Sequence, residues 1–143
     1  MDILEKLCII FPLKPFFSNK RKSISKLRKY YFYDLGVRNA VVDDFTPIES
    51  RKDSGALWEN FCIVERMKRN DTAGRLANYY FWRSYQREEI DMIEVENENI
   101  YGFEFKREMQ SLDKKIKEIY TQDLAGKGDL EVISSENFRN FVT

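Results

Sequence analysis

Apolar and polar positions alternate most regularly in the middle of the chain. Tyr79–Tyr85, Ile90–Val95 and Ile100–Phe105 are rich in β-branched and aromatic residues, and Glu96-Asn97-Glu98-Asn99 is polar and turn-prone. The pattern predicts a three-stranded antiparallel meander. Along its third strand Tyr101, Phe103 and Phe105 share one face and Gly102, Glu104 and Lys106 the other, because side chains alternate across a pleated strand. An even loop, either Asn97-Glu98 or Glu96–Asn99, pairs Val95 with Ile100 and sets Asp91 opposite Glu104. A three-residue loop instead turns Asp91 to the other face.

Helical spacing flanks the meander. Gly55–Arg69, with Ser54 available as N-cap, carries Leu57, Trp58, Phe61, Cys62, Ile63, Val64 and Met67, and its end is marked by Asn70-Asp71-Thr72-Ala73-Gly74. On its helical wheel Glu59 and Arg66 lie about 20° apart, in a narrow polar gap. A second helix, from about Glu108 to Leu124, places Leu112, Ile116, Ile119, Tyr120 and Leu124 on one stripe and Lys114, Lys115 and Lys117 largely outside it. Ala125-Gly126-Lys127-Gly128 closes it, Leu130–Ile133 reads as a strand, and Glu136–Phe141 as one more turn. Towards the N-terminus, Met1–Leu7 reads as the end of a helix, Cys8–Leu13 as a strand and Lys26–Tyr33 as a returning strand. The expected fold is α/β: helix, three-stranded antiparallel meander, helix, strand, with an N-terminal β-hairpin attachment. The attachment covers residues 1–29 and the main domain 30–143.

The predicted register has a chemical consequence. Like charges placed directly opposite one another destabilise a sheet, so Asp91 and Glu104 need an offsetting charge from Lys106 or from a cation. Two carboxylates and a lysine suffice to hold a hydrated divalent cation and to activate water. Glu59, flanked by apolar neighbours on a mostly buried helix, is a further candidate. The competing reading is the wet face of a half-buried strand in a chain that is 34% charged.

The same residues carry a resemblance. Tyr31–Asn39, Gly55–Phe61, Tyr80–Arg83, Glu89-Ile90-Asp91 and Glu104-Phe105-Lys106, in that order, resemble the C-terminal domain of a group of bacterial and archaeal AAA-type ATPases. That domain is similar to the PD-(D/E)XK, or restriction-endonuclease-like, fold. The resemblance covers about Leu27 to Thr143. It implies Asp91 and Glu104 as metal ligands, Lys106 as the lysine that steadies attacking water and developing phosphorane charge, and Glu59 as the helical acidic residue completing the catalytic set. The implied metal is Mg²⁺, with Mn²⁺ as a substitute, since hard oxygen ligands suit a cation that keeps several waters. Two departures stand out: Ile90 replaces the proline that names the fold, and Ile116 stands where some active members carry the glutamine of a Gln-x-x-x-Tyr pair, with Tyr120 in place.

In that family the N-terminal stretch resembles the last helix and β-wing of a winged-helix segment. Lys14, Lys20, Arg21, Lys22, Lys26, Arg28 and Lys29 follow one another there with no acidic residue between. A basic wing can contact phosphates, and the opposing reading is a solvated hairpin or loop. Lys20, Arg21, Lys22, Lys114 and Lys115 are the candidate nucleic-acid contacts.

Composition narrows the classes. The formal charge is zero, so attraction to DNA has to come from local patches. Absence of histidine excludes His-dependent triads and His-ligated zinc, and the two cysteines are far apart in sequence. No apolar run approaches a membrane span and no signal-peptide core follows Met1, so a reducing cytoplasm is expected. No Gly-x-x-x-x-Gly-Lys-Ser/Thr loop occurs, so the chain lacks P-loop ATP hydrolysis of its own; a start within a wing is expected of a fragment of a longer ATPase. Three functions follow as expectations. The first is a nuclease-like docking module for DNA, a protein partner or its own ATPase domain; the second is an active Mg²⁺-dependent DNA endonuclease or exonuclease; the third is a structural α/β domain.

Overall fold

The computed structural model describes residues 2–17, 27–84, 88–123 and 129–143. Its centre is the predicted meander: β3 (Ala77–Arg83), β4 (Glu89–Glu96) and β5 (Asn99–Phe105). β4 and β5 pair as Val95↔Ile100 and Glu96↔Asn99, so the connection is the two-residue form, with Asn97 in the left-handed region at φ 57°. Asparagine tolerates that conformation better than most side chains.

Three more strands extend the meander into one mixed six-stranded sheet. β1 (Ile10–Pro15) lies parallel to β3 and antiparallel to β2 (Lys29–Phe32), while β6 (Leu130–Ile133) lies parallel to β5. The strand order is β2-β1-β3-β4-β5-β6. The N-terminal hairpin therefore forms one edge of the same sheet that carries the candidate site. The expected boundary at residue 29 falls on the first residue of β2. β1 begins two residues later than its pattern predicts, because Cys8 has φ 54° in the turn that follows a short helix, α1 (Asp2–Lys6).

Both faces of the sheet are covered. On one, α3 (Ser54–Thr72) and a short C-terminal helix pack Cys62, Ile63, Val64 and Phe141 against Phe81, Met92, Phe103 and Phe105. On the other, the helix over Lys114–Asp123 packs Ile116, Ile119 and Tyr120 against Trp82, Ile93, Ile100 and Leu130. In chain order these helices are α4 (Lys114–Asp123) and α5 (Phe138–Val142), and an eight-residue α2 (Leu35–Val42) precedes α3. The sequence pattern does not show α2. Its N-cap is Asp34, whose carboxylate accepts the Val37 amide at 2.8 Å.

Three helix expectations change. α3 is capped by Asp53, not Ser54, and Asp53 makes no side-chain cap bond because Arg51 and Arg38 hold its carboxylate. α3 also runs on through Asn70, where the sequence places its end. Asn70 is fully buried and its amide donates to Glu94 and to the Tyr79 hydroxyl, which retains it in the helix. α4 starts at Lys114, six residues later than expected, where the Asp113 carboxylate accepts the Lys115 amide at 2.7 Å. Tyr85, Leu124 and the Ala125–Gly128 terminator lie outside the described residues.

Candidate functional site

An irregularity in β4 places the first carboxylate. Tyr80 pairs with Ile93 and Trp82 with Ile90, so Asp91 and Met92 together stand opposite the single residue Phe81. Such a bulge strengthens local twist and re-aims one side chain. Met92 enters the core and Asp91 turns to the β4–β5 seam, where its Oδ2 accepts the Phe105 amide at 2.9 Å. The β4–β5 ladder is paired as far as Met92↔Phe103, one step before Asp91 and Glu104 in the same register. β5 continues on its other side, with Glu104↔Val132, Phe105↔Ile133 and the Lys106 amide donating to Ile133 at 3.0 Å. Glu104 is therefore rigidly held beside a seam that has opened.

Glu104 is 5% exposed, so the wet-face reading does not hold for it. Its Oε2 meets the Lys106 ammonium at 3.3 Å, and its Oε1 is buried with no hydrogen-bond partner. Lys106 itself is half-exposed at the rim.

The third carboxylate arrives from α3. Asn60 clamps β2 to the helix: its Oδ1 accepts the Phe32 amide at 3.0 Å and its Nδ2 donates to the Phe32 carbonyl at 2.8 Å. Lys29 and Tyr31, alternate residues on that strand, are thereby presented to Glu59, one position before Asn60. The Tyr31 hydroxyl donates to Glu59 Oε1 at 2.5 Å and Lys29 Nζ donates to the same oxygen at 3.2 Å. Lys29 also pairs with Glu89, whose other oxygen meets Arg83 at 3.2 Å.

Lys29 is a correction to the expected phosphate-contacting wing: it belongs to the acidic cluster. Arg66, two turns of helix beyond Glu59, pairs with Glu94. Lys20, Arg21, Lys22 and Lys26 lie outside the described residues. Lys115 bridges to Glu88 at 2.6 Å and Lys114 is exposed. Tyr120 serves packing: it lies over Gly102, where a Cβ would meet its ring at 3.0 Å, and its hydroxyl donates to the Ile100 carbonyl at 2.7 Å. Lys29, Tyr31 and Glu89 were missed by sequence reasoning. The available signal was alternation, Lys-x-Tyr on β2 and Glu-x-Asp on β4.

The electrostatics follow from burial and crowding. Asp91 is pushed up to about 7, first by burial and then by Glu104 and Glu59, against the opposing pull of the Phe105 amide and Lys29. Burial also raises Glu104, opposed by Lys106. Tyr31 is raised by burial and then by Glu59, so its hydroxyl keeps its proton and donates. Burial disfavours the Lys29 ammonium, yet Glu59 first, then Glu89 and Asp91, hold its pKa above the ordinary lysine value.

Among the described residues no three acidic or sulfur side chains converge at metal-binding geometry. The fit to a divalent cation therefore rests on Asp91 and Glu104. Mg²⁺ is held in many proteins by one or two carboxylates together with waters and phosphate oxygens, so a two-carboxylate donor set suits it. The bare, buried Oε1 of Glu104 is the observation that fits.

Residues 54–139, spanning α3, the meander, α4, β6 and the start of α5, match the model of a domain of unknown function, DUF4143. The chain belongs to the DUF4143 family. DUF4143 domains are typically found in AAA-ATPase-associated proteins. Similar proteins include uncharacterized proteins of Mycobacterium tuberculosis and Mycobacterium bovis, each 32% identical over 111 residues, covering 75% of this chain and 24% of the relative. This DUF4143 chain thus spans about a quarter of the length of the curated relatives it matches. No solved structure matches it. Among the described residues no helix is long and apolar enough to cross a membrane.

Proposed function

We propose that this domain is a restriction-endonuclease-like, that is nuclease-like, module of a longer ATPase-associated protein, and that it engages a phosphodiester backbone through a divalent cation held by Asp91 and Glu104. The observation that carries the reading is the Glu104 Oε1 atom, buried without a partner beside a carboxylate whose pKa is raised first by burial and then by its acidic neighbours. A buried carboxylate oxygen left unpaired costs free energy, and a cation or its bound water removes that cost. The element order of helix, meander, helix and strand supports the fold, and the family's association with AAA-type ATPases supports the setting.

The chain's own groups have distinct tasks in this reading. Asp91 and Glu104 supply the negative charge that holds the cation, and the Phe105 amide fixes Asp91 in place. A divalent cation there supplies Lewis acidity and lowers the pKa of bound water. Arg83 and Lys106, half-exposed beside Glu89 and Glu104, provide cations at the rim where phosphate oxygens would approach. Hydrolysis is the second reading, and Lys106 favours it: an ammonium adjoining the carboxylate pair is placed to offset charge developing on a phosphorane.

The test incubates the chain with linear and circular DNA in Mg²⁺, in Mn²⁺ and in chelator, beside Asp91→Ala and Lys106→Ala, following both retention and strand breaks. Cation-dependent retention lost in Asp91→Ala is the expected result. Cleavage lost in both variants establishes hydrolysis, and retention without cleavage establishes a docking module. DNA that is neither retained nor cut under any of these conditions rejects the proposal and leaves a protein partner or the parent ATPase domain as the surface's object.

A further inference from the structure

The acidic cluster holds more negative charge than one divalent cation uses. Glu59, Glu89, Asp91 and Glu104 crowd one end of the sheet, and among the described residues the buried side-chain oxygen without a partner, Glu104 Oε1, lies in the Asp91–Glu104 half. The other half is already partly compensated from within. Lys29 contacts Glu59 and Glu89 together, Asp91 acts electrostatically on it, and it lies over the Phe81 ring at 5.5 Å to the centroid. An ammonium between carboxylates does electrostatically what a bound metal does there.

Resting on the cation reading of Asp91 and Glu104, we infer that the Lys29 ammonium takes the place of a second divalent cation between Glu59, Glu89 and Asp91, so that the cluster accepts one divalent cation and not two. The tether gives Lys29 a high effective concentration at that position, which a free cation at ordinary concentration does not match. Tyr31 reinforces the arrangement, because its hydroxyl already occupies the Glu59 oxygen that Lys29 bonds. One of the two Glu59 oxygens is thereby taken up, consistent with the lack of a three-carboxylate cage among the described residues.

The experiment counts Mn²⁺ bound per chain by electron paramagnetic resonance for the wild type, Lys29→Met, Lys29→Arg and Asp91→Asn, with circular dichroism melts to confirm folding. Lys29→Met keeps the aliphatic stem over Phe81 and removes the charge. One Mn²⁺ on the wild type and on Lys29→Arg, with a second on Lys29→Met, is the expected result. Unchanged stoichiometry and affinity in a folded Lys29→Met overturns the inference and leaves the proposed function standing. Binding to Lys29→Met with none to the wild type supports the stand-in role and overturns the one-cation site at Asp91 and Glu104. No binding to any variant overturns both. A measurement on the unmodified chain covers the case in which Lys29→Met does not fold: amine acetylation read by mass spectrometry. Lys29 is expected to stay protected in saturating Mn²⁺, and metal-induced reactivity shows displacement and overturns the inference.

Discussion

Two glutamates on the β4–β5 hairpin, Glu94 and Glu104, are both buried and differ in how their oxygens are bonded. Glu94 is 0% exposed and each of its oxygens is bonded: Arg66 donates to Oε2 at 2.7 Å and to Oε1 at 3.1 Å, and Asn70 adds a third bond at 3.0 Å. Arg66 is held in turn by the Phe141 carbonyl at 2.6 Å and by the faces of Phe103 and Phe141. Glu104 has one half-exposed lysine at 3.3 Å and an oxygen with nothing opposite it. Burial alone therefore does not mark a site. Completeness of the hydrogen-bond network separates a carboxylate whose bonding capacity is filled within the fold from one with an oxygen left unbonded.

That contrast can be broken most violently at Arg66. Arg66→Ala leaves a fully buried glutamate without its cation, and urea denaturation should show a loss of about 3–5 kcal/mol, the range for breaking a buried ion pair by removing one partner. A loss below 1 kcal/mol would show that Glu94 relaxes to water and would erase the distinction.

Next in size is a pH effect from the other end. Asp91 titrates near 7 when folded against an ordinary value of 3.8, so the folded state binds the proton more tightly than the unfolded chain. Well below pH 3.8 both states are protonated and stability is unaffected. As pH rises towards 7 the unfolded state ionises first, and the fold should lose about 2–4 kcal/mol in chelator. Thermal melts between pH 4 and 8 check the slope, which Asp91→Asn should flatten.

The two glutamates can then be compared by the same substitution. Glu94→Gln, which weakens a satisfied network, should cost about 1–3 kcal/mol, while Glu104→Gln in chelator should be neutral or stabilising by about 1 kcal/mol. Equal losses would mean that both are structural. Lys115→Ala marks the small end: its bridge to Glu88 is half-exposed, and the expected change is at most about 0.5 kcal/mol.

Much of this was legible in the residues. Strand composition, the polar four-residue break and the count across it placed the meander and its register. The apolar surface of α3 was likewise visible at helical spacing. What stayed hidden depends on contacts across long stretches of chain. Nothing local marks Glu94 as buried, because its partners Arg66 and Asn70 lie 28 and 24 residues away. Lys29 sits in a run of cations and looks like its neighbours; only the Asn60 clamp on β2 turns it towards Glu59. The bulge was invisible for a similar reason. Asp91-Met92 reads as ordinary alternation, and the extra residue emerges only against Phe81 on the facing strand.

The Asn60 clamp also bears on how the molecule behaves in a crowded solution. β2 is an edge strand, and exposed strand edges invite further chains to add by main-chain pairing. Phe32 presents its amide and carbonyl outward, away from β1, and Asn60 occupies both. A side-chain amide here imitates the strand that would otherwise come next, so at Phe32 the main-chain groups a further strand would need are already bonded to the protein's own helix.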